Sequence, residues 1–228
     1  MKESNDVPVL TRTEEGLALV SGEQVLMGDF TRLLPRLKRL QTELLVKAAR
    51  IKNPEGELSA VDATAGLGED SFLLAAAGFR VTMFERNPVV FALLEDALCR
   101  GAQVPQLAEI VGRMEARRAD SVEGMAALEQ APDVILLDPM FPARQKSALV
   151  KKKLQMIQKL ELPCDDEARL LLTAMEAKPK KLIVKRPPKG PWLADLKPDH
   201  TIEGKAVRFD CFVSPYDRIG KFRERLGT

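Results

Sequence analysis

The chain has 228 residues, of which 45% are apolar and 30% charged, with a formal net charge of +2. That composition excludes a disordered chain, and no apolar run reaches the roughly 18 residues that mark a membrane span. One histidine, His200, and three widely spaced cysteines, Cys99, Cys164 and Cys211, exclude a multi-histidine metal site and a disulfide framework. The expectation is a cytoplasmic protein with no metal and with cysteines serving as small core residues. The polar start, Met1 to Pro8, has no signal-peptide core.

In chain order, residues 1–28 predict an irregular start and then a hairpin, Leu17 to Val20 and Gln24 to Met27, around Ser21-Gly22-Glu23. From Thr31, Leu33, Leu37, Leu40, Leu44 and Ala48 recur at helical spacing, with Pro35 in the first turn. The other face of this predicted helix carries Arg32, Arg36, Lys38, Arg39, Lys47, Arg50 and Lys52. Such a face is either a solvated surface or a phosphate-contacting one, and both readings stay open. Asn53-Pro54-Glu55-Gly56 reads as a boundary between an N-terminal unit, 1–56, and a second unit, 57–228.

The second unit alternates strands with helices. Strands are predicted at Leu58 to Ala63, Arg80 to Glu85, Met114 to Ala119, Asp133 to Asp138 and Lys181 to Lys185. Helices are predicted at about Ser71 to Gly78, from Asn87-Pro88 to Arg100, and around Asp166 to Lys178. Thr201 to Glu203 and Ala206 to Val213 read as a closing antiparallel pair. This alternation predicts an α/β fold with a mainly parallel, doubly wound sheet.

The loop after the first of these strands contains Asp62, Gly66 and Gly68. In open α/β sheets such a loop lies at the carboxyl ends of the strands, where ligands bind. Its third position in the G-x-G-x-x-G pattern is Ser71, which disfavours a nicotinamide oxidoreductase. The loop instead looks like the cofactor loop of S-adenosylmethionine (SAM)-dependent methyltransferases, with Thr64 where that pattern often has glycine. Glu85 follows Asp62 by 23 residues and ends its strand, where a carboxylate can accept both ribose hydroxyls. Asp120-Ser121 ends the next strand, at the place of adenine contacts in such enzymes.

Asp138-Pro139-Met140-Phe141-Pro142 resembles the acid-Pro-Pro-aromatic motif of methyltransferases acting on planar exocyclic nitrogens. The lone pair of such an amine is delocalised into its ring. A carboxylate on Asp138 and the Pro139 carbonyl can accept its N–H protons and free the lone pair, and Phe141 can stack on the base. Arg144, Lys146, Lys151, Lys152 and Lys153 crowd behind the motif, and Lys185, Arg186 and Lys189 follow the last parallel strand. Both clusters are candidate RNA phosphate contacts. Trp192 either stacks on RNA or pins its loop.

Residues 60–213 resemble the bacterial 16S rRNA guanine-N2 methyltransferase family known as RsmJ. The resemblance lies in Val61 to Gly68, Glu85 to Val90, Asp138 to Pro142, Gln145 to Lys152, Lys185-Arg186-Pro187 and Arg208-Phe209-Asp210. It implies a class I methyltransferase fold with a seven-stranded sheet ending in an antiparallel hairpin, and SAM as cofactor. Cofactor contacts would fall on Asp62, Gly66, Gly68, Glu69, Asp70, Glu85, Arg86, Asp120, Ser121 and Asp138. Catalysis would fall on Asp138, Pro139 and Phe141. Arg144, Lys146, Lys151, Lys152, Lys185 and Arg186 would meet RNA. The implied substrate is one guanine (guanine 1516) of 16S rRNA, free or in the small ribosomal subunit, with no membrane and no obligate protein partner. The alternatives are another planar nitrogen, as in DNA adenine or protein glutamine, and a non-catalytic RNA-binding protein. The leucine-rich segment from Thr31 replaces a basic, glycine-rich segment usual in the family.

Overall fold

The structure is a computed structural model and describes residues 7–54, 56–139 and 166–227. It opens with a small antiparallel sheet of β1 (Val9–Thr13), β2 (Gly16–Ser21) and β3 (Gln24–Leu26). The predicted hairpin is β2–β3. The expected irregular start contains a third strand, β1, whose residues are all exposed and so carry no burial pattern.

The amphipathic helix expected from Thr31 is a correction. The segment breaks into a 3₁₀ turn (Phe30–Leu33), α1 (Leu34–Leu37), a second turn (Leu40–Thr42) and α2 (Leu44–Ala49). Arg39 leaves helical geometry, and Glu43 is extended, with ψ 132°. Arg36 holds that carboxylate with two parallel bonds of 2.9 and 2.7 Å, and the Thr42 hydroxyl donates to the Arg39 carbonyl at 2.7 Å. The leucines still turn inward. Leu33 is buried, and Leu37, Leu40 and Leu44 pack on the main core.

The large sheet contains β4 (Ser59–Asp62), β5 (Arg80–Phe84), β6 (Met114–Arg117), β7 (Val134–Leu137), β8 (Lys181–Arg186), β9 (His200–Glu203) and β10 (Arg208–Val213). Their order is β6-β5-β4-β7-β8-β10-β9. The strands from β4 to β8 run parallel, and β10 pairs antiparallel with both β8 and β9. Side chains alternate between two cores. Ala60, Val134, Leu136 and Ile183 face one, and Val61, Ile135, Leu137, Leu182 and Val184 face the other. Both faces are covered, so β7 is an unbroken apolar run, as in parallel sheets generally.

The first core is closed by α3 (Glu69–Ala76), α4 (Pro88–Ala102), α5 (Pro105–Val111) and the segment 30–49. The second is closed by α6 (Ser121–Ala126), α7 (Glu167–Glu176) and α8 (Ile219–Leu226). Phe30 stacks on Phe72 at 5.3 Å between ring centres. Lys181 Nζ donates to the carbonyls of Ala48 (3.0 Å) and Arg50 (2.6 Å), tying the end of α2 to the sheet. Asp96 on α4 accepts from the Leu17 amide (3.0 Å) and from Arg100 Nε (2.7 Å). That docks the small sheet. Cys211 is buried as expected, but Cys99 is exposed, because it lies on the face of α4 opposite Leu93, Leu94 and Ala97.

Candidate active site

The sequence of strands runs outward from β4 to β6, then restarts at β7 on the other side of β4. Ligands bind in α/β sheets at the carboxyl ends of the strands where the order reverses. Here that crevice lies between the ends of β4 and β7, and five carboxylates belong to it or its neighbours.

Asp62 ends β4 and is buried. It accepts from the Thr64 amide at 3.1 Å and from the Ser71 hydroxyl at 2.6 Å. Burial pushes its carboxyl up to about 7; the Ser71 bond opposes this, and the charge of Asp70 adds to it. Asp62 thus braces the turn from below. Gly66 (φ +53°) and Gly68 (φ +77°) adopt the left-handed geometry that glycine tolerates best. A Cβ on Gly68 would lie 2.8 Å from Leu94 Cδ1 and 3.4 Å from the Phe30 ring, so this glycine seats α3 against the core. A Cβ on Gly66 would meet nothing within 4 Å and would point into open space above the loop.

Glu85 follows β5 and is also buried. One oxygen accepts from the Gly66 amide at 3.1 Å, the other from the Asn87 amide at 2.7 Å. Burial raises its carboxyl, and these two amides oppose the shift. Asn87 caps α4 by accepting from Val89 and Val90 at 2.9 and 3.2 Å. The Arg86 amide also favours the charged form, and a carboxylate offers about four acceptor sites, which leaves capacity for a hydroxyl. Asp120 caps α6 through the Val122 amide at 2.9 Å, and its carboxylate lies 3.7 Å from Arg86. Ser121 opens that helix.

Asp138 and Pro139 follow β7. The Asp138 amide donates to Thr64 Oγ1 at 2.7 Å, which fixes the start of the motif to the cofactor loop. Asp138 Oδ2 lies 2.9 Å from Lys185 Nζ, and Lys185 also pairs with Asp70 in the first turn of α3. Burial raises the Asp138 carboxyl, and the Lys185 charge opposes it. Lys185 itself is held above the ordinary lysine range by Asp70 and Asp138, against the effect of burial.

Two residues expected to meet RNA have partners within the protein. Lys185 is occupied by Asp70 and Asp138. Arg186 is buried, and its Nε donates to the Pro191 carbonyl at 2.8 Å. Both alternate along β8, which aims one at the site and one under the following loop. Arg208 supports the same loop, donating to the carbonyls of Pro187, Pro188 and Gly190 at 3.2, 3.0 and 2.8 Å. Asp210 holds Arg208 with two bonds of 3.0 Å. Glu69 is exposed at the start of α3, and Trp192 is exposed after the loop. Phe141, Arg144, Lys146, Lys151 and Lys152, with Met140, Pro142 and Lys153, lie outside the described residues.

Sequence reasoning missed Ser71 and the role of Thr64. Thr64 stood out only as a residue where glycine is usual. A hydroxyl there bridges the loop to Asp138, which glycine cannot do.

The donor set suits SAM: acceptors for ribose hydroxyls at Glu85, polar groups of Asp120 and Ser121 on the next strand, and clear space over Gly66. This strand order, with its cofactor loop after β4, is that of class I SAM-dependent methyltransferases. A sequence model of the family described as "Putative SAM-dependent methyltransferase" matches residues 2–214. Ribosomal RNA small subunit methyltransferase J of Aeromonas salmonicida is 49% identical over 154 residues, 67% of this chain and 62% of that protein. Its counterpart from Chromohalobacter salexigens is 41% identical and covers 90% of this chain and 84% of that protein. A SAM-dependent methyltransferase from Neisseria gonorrhoeae has a solved structure with a TM-score of 0.74, 31% identity, and coverage of 93% and 85%. The rRNA methyltransferase AviRa of Streptomyces viridochromogenes shares the fold, at a TM-score of 0.55 and 17% identity over 80% of this chain and 86% of that one. The chain belongs to the ribosomal RNA small subunit methyltransferase J family. It matches 62% of the length of each of the two Aeromonas relatives.

Proposed function

We propose that this protein transfers a methyl group from SAM to the exocyclic N2 of one guanine in 16S rRNA. The observation that carries this reading is Asp138-Pro139 at the end of β7, fastened through Thr64 to the loop that also engages Glu85. The first residue of the amine-presenting motif is thereby hydrogen-bonded to the cofactor loop. The relatives of the same family, named as small-subunit rRNA methyltransferases, favour rRNA over DNA or protein.

SAM supplies an electrophilic methyl on a sulfonium, leaving as S-adenosylhomocysteine. The chain supplies position. Glu85 accepts the ribose hydroxyls, and Asp120 and Ser121 border the adenine side. Lys185 occupies Asp138 Oδ2, which leaves Oδ1 to accept an N2 proton. The Pro139 carbonyl accepts the other and biases the nitrogen toward pyramidal geometry. As the N–C bond forms, N2 gives up one proton to Asp138 or to water. Orientation of this kind is worth roughly 7–11 kcal/mol. The guanine must be unstacked to enter. Phe141 would stack on it, and Arg144, Lys146, Lys151 and Lys152 would meet its phosphates. The protein acts in the cytoplasm, where ribosomes are assembled.

The test is transfer of labelled methyl from SAM to small subunits, naked 16S rRNA and DNA from a strain lacking the protein, with Asp138→Ala alongside. The expected result is N2-methylguanosine in rRNA, absent with the variant. Label in DNA or protein alone, or none anywhere with SAM bound, would overturn the reading.

A further inference from the structure

We propose that Lys185 is a positioning residue for methyl transfer, holding Asp138 ionised and aimed with one oxygen free for the substrate amine. The inference rests on Asp138 as the amine acceptor, as read above. Three carboxylates, Asp62, Asp70 and Asp138, converge at the carboxyl ends of β4 and β7 and the start of α3. Asp70 and Asp138 both raise the carboxyl of Asp62 by like charge. Among the described residues, Lys185 is the cation that pairs with two of them.

Its geometry is fixed from both sides. β8 lies beside β7, with Leu137 opposite Val184, so Lys185 emerges one residue past the paired register, next to Asp138. On its other flank β8 pairs with β10, which sets Lys185 opposite Phe209. The side chain is largely buried, and its ammonium bridges Asp70 and Asp138. A lysine recruited for RNA phosphate would present its charge outward. This one spends it on Asp138 Oδ2 at 2.9 Å and on Asp70. The bond to Oδ2 also selects the carboxylate rotamer, so Oδ1 is the oxygen that meets N2.

Without that cation, Asp138 would stand beside Asp70 with only the lesser effect of the Arg186 charge opposing it, and would take up a proton at higher pH. A protonated carboxyl is a poorer acceptor for the amine. The prediction is therefore a shift in the acid limb of the rate, not only a loss of rate.

The experiment is single-turnover methyl transfer to small subunits at saturating SAM, as a function of pH, for wild type, Lys185→Gln, Lys185→Arg and Asp138→Asn. Lys185→Gln is expected to move the acid limb up by one pH unit or more and to lower the rate at least tenfold at its foot. Lys185→Arg, which keeps the charge, is expected to leave the limb near that of wild type. An unchanged limb in Lys185→Gln, or an equal shift in Lys185→Arg, overturns the proposal. Near-normal turnover of Asp138→Asn would instead overturn the role of Asp138 itself. The Lys185 side-chain ¹³Cε resonance gives a second route that needs no change at Lys185. It is expected to move in Asp138→Asn, and an unmoved resonance also overturns the contact.

Discussion

Asp62 and Glu85 end neighbouring strands and are both buried, yet they do different work. Asp62 spends its oxygens on Thr64 and Ser71, inside the loop. Its folded carboxyl titrates near 7, against 3.8 for the free group. At this group the folded protein therefore binds more protons than the unfolded chain between these values, and the contribution of Asp62 to stability falls as pH rises from about 4 to 7. Asp62→Asn, an isostere, is expected to flatten that fall by a few kcal/mol, read as denaturant midpoints across this range. An equally steep fall in the variant would remove Asp62 as its source. Glu85 sits at the end of β5 and ties the cofactor loop to the start of α4 through the Gly66 and Asn87 amides. Glu85→Gln is expected to weaken SAM binding roughly 10–100-fold by loss of charge-assisted bonds, measured by calorimetry. An unchanged Kd would place the ribose elsewhere.

At the scale of the element, the loop between β4 and α3 has two left-handed glycines with different roles. Gly68→Ala adds about 1–2 kcal/mol of backbone strain and presses on Leu94 and Phe30. It is expected to lower the melting temperature clearly. Gly66→Ala carries similar strain but no collision, so its larger effect is expected on SAM affinity, with a smaller loss of stability. Equal effects of both on melting and on binding would contradict this division. The strands that surround the loop were legible in the sequence because each is buried on both faces and bounded by turn residues. The segment from Thr31 was not legible in the same way. Its leucines have helical spacing, but Arg36 captures Glu43 seven residues on and pulls the chain out of the helix. Short α5, α6 and α8 also escaped, since each offers under three turns of pattern. Order and spacing placed Asp62, Glu85 and Asp138 at strand ends, where the structure also has them. The bridge through Lys185 was not legible, because it joins residues 47 and 115 positions apart whose proximity only the strand order creates.

For the whole molecule, the N-terminal sheet is fastened to α4 by an apolar cluster of Leu19, Leu26 and Leu93 and by polar groups around Asp96. Asp96 is central, accepting from Leu17, Arg12 and Arg100, while Arg100 also reaches the Gly28 carbonyl. Asp96→Ala leaves the Leu17 amide without that acceptor at a cost of about 1–3 kcal/mol. It is expected to speed hydrogen exchange across β1, β2 and β3 while β4, β5 and β7 stay protected. Uniform acceleration in both sheets would mean that they open together.

The position of β10 also governs how this protein can be made. It inserts between β8 and β9, both of which precede it along the chain. No order of emergence from the ribosome can therefore build the sheet one neighbour at a time. A nascent chain that has released β8 but not Arg208–Val213 carries an open edge at the largely buried strand β8, and open edges invite pairing with another chain. Translation arrested in that window should yield aggregates, whereas release only a few codons later should not.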